Sequence, residues 1–166
     1  VLGAAANGAE TIIAIDRLEQ KLDRARELGA THAFKADDPD LVGKVKEVTS
    51  GGVDAALEFA GSVKALEASY AITRRGGTTV TAGLPNPIAM LTLPAVSLVA
   101  EERTIKGSYL GSGVPSRDIP RFLGLYMRGK LPVEKLLTHR IKLDDINEGF
   151  DRLHDGSAIR QVIEFN

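Results

Sequence analysis

Asp16 closes a short apolar run, Thr11-Ile12-Ile13-Ala14-Ile15. A carboxylate at the tip of such a strand can accept hydrogen bonds from both hydroxyls of an adenosine ribose. It also repels a 2′-phosphate, so it favours NAD over NADP. The competing role for Asp16 is an N-cap for the helix that begins near Leu18. Arg17 weakens the discrimination, because a cation there tolerates a 2′-phosphate. Lys21 lies about one turn further on and reaches toward the same ribose; without Asp16 it reads as a solvated helix lysine. Gly61 and Gly83 follow two further strands. Either they let a ligand approach the backbone, since no Cβ intervenes, or they only punctuate turns. Arg160 opens the final strand, and its planar fork suits a pyrophosphate as well as it suits open solvent.

Other chemistries find little support. The sequence has no cysteine, so it offers no disulfide, thiolate ligand or cysteine nucleophile. His32, His139 and His154 are scattered, and the carboxylates do not fall at ligand spacing. No Gly-x-Ser-x-Gly elbow occurs. With 21 Lys+Arg against 22 Asp+Glu the net charge is -1, which gives no basis for nucleic-acid or membrane-surface binding. No apolar run approaches the roughly 20 residues that cross a bilayer, and no signal peptide opens the sequence. A cytoplasmic location is the default expectation.

The elements that must position these residues are legible from periodicity. At 166 residues, 43% hydrophobic and 26% charged, the chain is an ordinary globular sequence. A helix end over 1–9 leads to the strand at 11–15. Leu18, Leu22, Ala25 and Leu28 mark a helix closed by Gly29. A brief strand at Ala33-Phe34 follows, then a helix after Asp38-Pro39 carrying Leu41, Val42, Val45 and Val48. A strand is predicted over 53–59 and a helix from Ser62 to Gly76-Gly77. The next strand is placed at 78–82. This alternation predicts an α/β fold with a doubly wound parallel sheet of Rossmann type.

Beyond residue 83 the pattern loosens. The sequence predicts a short strand near 90–93, a helix from Pro94 and a strand over 104–110. After a glycine-rich loop, Ile119, Phe122, Leu123 and Tyr126 define an amphipathic helix. A strand at 137–143, a helix capped by Asp144 and a strand at 161–165 complete an α+β segment. The boundary is placed near 110–116, giving a partial nucleotide-binding domain over 1–110 and a C-terminal segment over 111–166.

The ordered set of motifs resembles the zinc-containing medium-chain alcohol dehydrogenases. The resemblance runs through 12–17, Lys21 and Glu27-Leu28-Gly29-Ala30-Thr31, then Val53-Asp54 to Gly61. It continues through Arg75-Gly76-Gly77-Thr78, Ala82-Gly83-Leu84-Pro85 and Lys106-Gly107-Ser108-Tyr109-Leu110-Gly111. Residues 146–151 and 158–163 complete it. It implies that Asp16, Arg17 and Lys21 hold the adenosine ribose. Phe59, Ala60 and Ser62 would flank the adenine-side ribose and phosphates. Ala82, Gly83 and Leu84 would line the nicotinamide pocket, and the backbone of Ser108 and Leu110 would bond the carboxamide. Leu84 and Tyr109 would face substrate, and Arg160 would meet the pyrophosphate.

The resemblance further implies hydride transfer between a small alcohol or aldehyde and NAD, in a homo-oligomer whose 104–110 strand joins a sheet across subunits. The sequence lacks the family's zinc ligands, its first Rossmann strand and the Gly-x-Gly-x-x-Gly fingerprint. The chain is therefore expected to be the C-terminal, cofactor-binding portion of such an enzyme. It would carry no catalytic or metal-ligating residue of its own, and would bind NAD weakly when alone. Three other readings are carried. They are a non-catalytic assembly or ligand-sensing module, a zinc-free quinone reductase relative, and a methyltransferase, for which no motif speaks.

Overall fold

The structure, a computed structural model, describes residues 1–165. They form two compact units, one of residues 1–33 with 116 onward, the other of residues 34–115.

In the first unit, helix α1 (Leu2–Ala6) precedes strand β1 (Ile13–Asp16) and helix α2 (Glu19–Glu27). Strand β2 (His32–Lys35) pairs with β1 as a two-stranded sheet, and the unit boundary falls within β2. The pair is locked at its base. Thr31 N–H donates to Ile12 O at 2.8 Å, and Ile12 N–H donates to Thr31 Oγ1 at 2.9 Å. Ile12, Leu22 and Ala30 are buried, with Ala158 from the C-terminal segment. That segment comprises helix α6 (Pro115–Met127), which begins at the unit boundary, strand β6 (Leu137–Ile141), helix α7 (Ile146–Asp155) and strand β7 (Arg160–Ile163). Strands β6 and β7 pair in parallel, with His139 opposite Gln161.

The second unit holds helix α3 (Leu41–Val48), strand β3 (Val53–Glu58), helix α4 (Val63–Ile72), strand β4 (Thr73–Thr81), helix α5 (Ala95–Ala100) and strand β5 (Thr104–Gly107). The three strands form a parallel sheet in the order β3-β4-β5. Leu41, Val45, Ala56, Tyr70 and Ile72 make its core. A polar cluster ties α4 to α5 and to the strand that follows. Tyr70 Oη meets Ser97 Oγ at 2.5 Å, Arg103 lies over the Tyr70 ring at 4.8 Å and pairs with Glu101 at 2.5 Å. A guanidinium stacked on a ring and paired on its edge is well suited to partial burial.

Several expected boundaries move. Helix α4 stops at Ile72 rather than at the Gly76-Gly77 pair, and β4 begins at once with Thr73. Between Val53↔Thr73 and Ala55↔Thr78 the register slips, so the glycine pair lies in a bulge inside the strand. Residues 90–93 form no strand; Pro94 follows them, and none of them pairs with a described strand. Strand β5 ends at Gly107, because a tight 3₁₀ turn over Tyr109–Ser112 puts Leu110 at φ 46 and cannot stay extended. Strand β6 stops at Ile141, and Asp144 sits in a 3₁₀ turn; Asp145 is the residue that precedes α7. The closing strand runs 160–163 instead of 161–165.

Candidate functional site

In the first unit, Asp16 is the last residue of β1 and is half-buried. Its Oδ1 accepts the Leu18 N–H at 2.9 Å. The carboxylate thus braces the turn into α2, an Asx-type bond that fixes its direction at the strand tip. The N-cap of α2 is Leu18 rather than Asp16, so the expected capping role becomes a brace two residues further back. Lys21 lies in the first turn and a half of α2, and its ammonium lies close beside the loop after α7. A Cβ built on Gly156 would stand 3.2 Å from Lys21 Nζ and 2.7 Å from Leu18 Cδ1.

That loop and α2 share an open groove of about 470 Å³, lined by Lys21, Arg24, Ala25 and Leu28 with Leu136, Ala158 and Ile159. The Arg24 guanidinium donates to the Lys135 carbonyl and pairs with Glu27 at 2.5 Å. Arg160 follows the groove as the first, exposed residue of β7, and its carbonyl accepts the Thr138 hydroxyl at 2.9 Å. Arg17 is exposed at the start of the same turn. The structure therefore places Asp16 at the tip of β1 and Lys21 in the following helix, with Lys21 beside the 156–159 loop.

In the second unit the carboxyl ends of β3 and β4 are knotted by a residue that the sequence reading passed over. Glu58 is 4% exposed. Its Oε1 accepts the Gly61 N–H at 2.7 Å, and its Oε2 accepts the Thr81 hydroxyl at 2.8 Å. Its backbone carbonyl takes the amides of Ala82 and Gly83 at 2.9 and 3.3 Å. The signal was available in the alternation of β3. Glu58 shares the inward parity of buried Ala56, and a carboxylate on an inward face requires donors.

The two turns so joined lie against each other. A Cβ on Gly83 would fall 2.1 Å from Gly61 N, and one on Gly61, at φ +65, would fall 2.7 Å from Leu84 O. The missing side chains admit neighbouring backbone, which is a third use of these glycines beside the two expected. Around this knot stand the other expected residues. Phe59, Ala60 and Leu84 are exposed, and Ala82 and Gly83 are half-buried. Ser62 is the extended N-cap of α4, and its side chain makes no capping bond. Beyond β5, Ser108 N–H donates to Thr81 O at 2.8 Å. Tyr109 and Leu110 are exposed in the 3₁₀ turn.

Among the described residues no group of three His, Asp or Glu could hold a metal ion, and no helix is long and apolar enough to cross a membrane.

Parallel strands joined through covering helices define an α/β fold of the Rossmann type. Solved dehydrogenases share it. Benzyl alcohol dehydrogenase from Acinetobacter calcoaceticus superposes with a TM-score of 0.95 at 33% identity, over 99% of this chain and 45% of that one. 2R,3R-butanediol dehydrogenase from Bacillus subtilis gives 0.84 at 31%, over 99% of this chain and 46% of that one. In sequence, the NDMA-dependent alcohol dehydrogenase of Amycolatopsis methanolica is 40% identical over 167 residues, which is 98% of this chain and 45% of the relative. Alcohol dehydrogenase 1 of Oryza sativa subsp. indica is 34% identical over 164 residues, 97% and 43% respectively. The profile of the family described as "Zinc-binding dehydrogenase" matches residues 1–128, and the chain belongs to that family. It spans less than half the length of these relatives.

Proposed function

We propose that this chain is the cofactor-binding portion of an NAD-linked alcohol dehydrogenase. The observation that carries the reading is the half-buried Asp16 carboxylate, held at the carboxyl end of β1 about a turn from Lys21. The ribose would lie on Asp16, Arg17 and Lys21, and Arg160 would meet the pyrophosphate. Phe59, Ala60 and Ser62 would flank the adenine-side ribose and phosphates, a placement consistent with Ser62 being the exposed N-cap of α4 with no capping bond of its own. Ala82, Gly83 and Leu84 would line the nicotinamide side, with the carboxamide on the backbone of Ser108 and Leu110. Leu84 and Tyr109 would form an apolar wall toward a small alcohol or aldehyde. When bound, NAD supplies a hydride acceptor. The residues of this chain bind and orient it. The zinc in the family's description would be held by other parts of a longer polypeptide, since the donor set here does not fit a metal ion.

The test is made on the polypeptide encoded by the whole reading frame. It is expected to reduce NAD with a primary or secondary alcohol, followed by NADH absorbance, and to prefer NAD over NADP. Asp16→Ser removes the ribose acceptor and the charge that repels a 2′-phosphate. The NAD-over-NADP ratio of kcat/KM should fall by about tenfold to a hundredfold, the worth of one or two charge-assisted hydrogen bonds. An unchanged ratio would remove Asp16 from the site. A quinone reductase relative would instead prefer NADPH, and a ligand-sensing module would show no turnover.

A cytoplasmic homo-oligomer belongs to the same reading. Strand β5 ends the β3-β4-β5 sheet, and Ile88, Met90, Val96 and Val99 in the same unit are exposed. Exposed apolar surface beside an edge strand favours association. Light scattering on the full-length protein should give a dimer or tetramer; a monodisperse monomer contradicts this part.

A further inference from the structure

We propose that Asn7 is a site of spontaneous covalent modification, converting to aspartate and isoaspartate through a cyclic imide formed with the Gly8 amide. Asn7 is the C-cap of α1 and is exposed, as is Gly8, whose φ is +76. Gly8 carries no side chain to shield its amide, and nothing lies within 4 Å of the place where one would stand.

The reaction needs no catalyst beyond water. The Gly8 nitrogen attacks Asn7 Cγ and a new N–Cγ bond forms. The Cγ–Nδ2 bond breaks, and Nδ2 leaves as ammonia with the proton from the Gly8 N–H. Water then opens either imide bond, giving aspartate or isoaspartate, and no electrons are transferred.

Two contacts restrain this step in the folded chain. Gly8 N–H donates to Ala5 O at 3.0 Å, and Asn7 Nδ2 donates to Gly3 O at 2.7 Å. Both belong to the end of a five-residue helix with no buried residue. Helix ends fray, and fraying of this exposed C-terminal end frees nucleophile and electrophile together. The other candidates are blocked differently. Asn86 precedes Pro87, which has no N–H. Asn147 precedes Glu148 inside α7, where the backbone is held in helix. Asp155 also precedes a glycine, but hydrogen bonds from Ser157 hold its carboxyl below the usual range, in the ionised form that resists attack.

The product changes the local electrostatics. A carboxylate at position 7 faces the Gly3 carbonyl it formerly bonded and the negative end of the helix dipole. Isoaspartate also adds a backbone atom to the segment that leads into Ile12.

The experiment incubates the folded polypeptide encoded by the whole reading frame at mildly alkaline pH and follows tryptic peptides by mass spectrometry. The peptide that carries Asn7 and ends at Arg17 should gain about one dalton, split into aspartate and isoaspartate forms, severalfold faster than the peptide bearing Asn147. A parallel incubation in urea sets the unrestrained rate. Conversion in urea with none in buffer would overturn the proposal, as would equal rates at Asn7 and Asn147 in buffer.

Discussion

Gly83→Ala is expected to destabilise the chain by about 3 kcal/mol, toward the upper end of what overpacking one well-filled site costs. The reason lies in what the added methyl meets. It would lie 2.1 Å from Gly61 N, 2.6 Å from Gly61 Cα and 2.9 Å from Glu58 Oε2. Two of these are backbone atoms, which cannot rotate aside as a lysine end could. One turn must move off the other, and the Glu58–Gly61 hydrogen bond at 2.7 Å is the first contact at risk. Urea unfolding followed by circular dichroism measures the loss. Gly3→Ala is the control. Its Cβ meets nothing within 4 Å, and within α1 alanine should stabilise by about 0.5–1 kcal/mol. Equal, small effects at the two sites would show that the turns are not in close contact.

Glu58→Ala should lower stability by about 2–4 kcal/mol, since it leaves a half-buried amide and a half-buried hydroxyl without their acceptor. Glu58→Gln separates charge from geometry. A carboxamide oxygen still accepts the Gly61 N–H, and its NH₂ donates to Thr81 Oγ1, because a threonine hydroxyl serves as donor or acceptor. If the role of Glu58 is to join the two turns, the glutamine variant stays within about 1 kcal/mol of the parent. Thr81→Val should then cost about 1 kcal/mol. If glutamine costs as much as alanine, the negative charge itself matters, and the account given for this knot is incomplete.

The parts of the fold that were legible are those written in apolar periodicity. The runs 11–15 and 53–59 read as strands because β-branched or alternating apolar residues mark them, and strands form there at 13–16 and 53–58. Leu22 and Val45 read as core because they fall on helical faces, and both are essentially inaccessible. The family could be recognised because its motifs recur in order along the whole chain, although each is weak alone. Asp16 was legible because a strand tip is a place where a carboxylate needs a reason to be.

What stayed hidden depended on partners distant in sequence. Glu58 looks like any acid in a strand until Gly61 and Thr81 are brought to it. Gly76-Gly77 reads as a helix stop, yet Thr73 ends α4 earlier by turning its hydroxyl back to Ser69 O at 2.7 Å. The positive φ of Leu110 violates local preference, and residue types do not foretell it. The glycines at 61 and 83 were read as room for a ligand or as turn punctuation, and the close approach of Gly83 to the Gly61 backbone, and of Gly61 to that of Leu84, could not be read from either.

The junction of α4 with β4 has a mechanical corollary. No linker separates them: Thr73 is at once the cap of the helix and the first residue of the strand, and it is fully buried. Its hydroxyl touches Ser69 O behind it and Thr79 Oγ1 at 2.8 Å ahead. A displacement of the helix therefore cannot be absorbed by a slack hinge and passes to the strand as through a rigid crank. Amide protons on the two elements should exchange with solvent in a single cooperative opening, so that loosening either one unseats both.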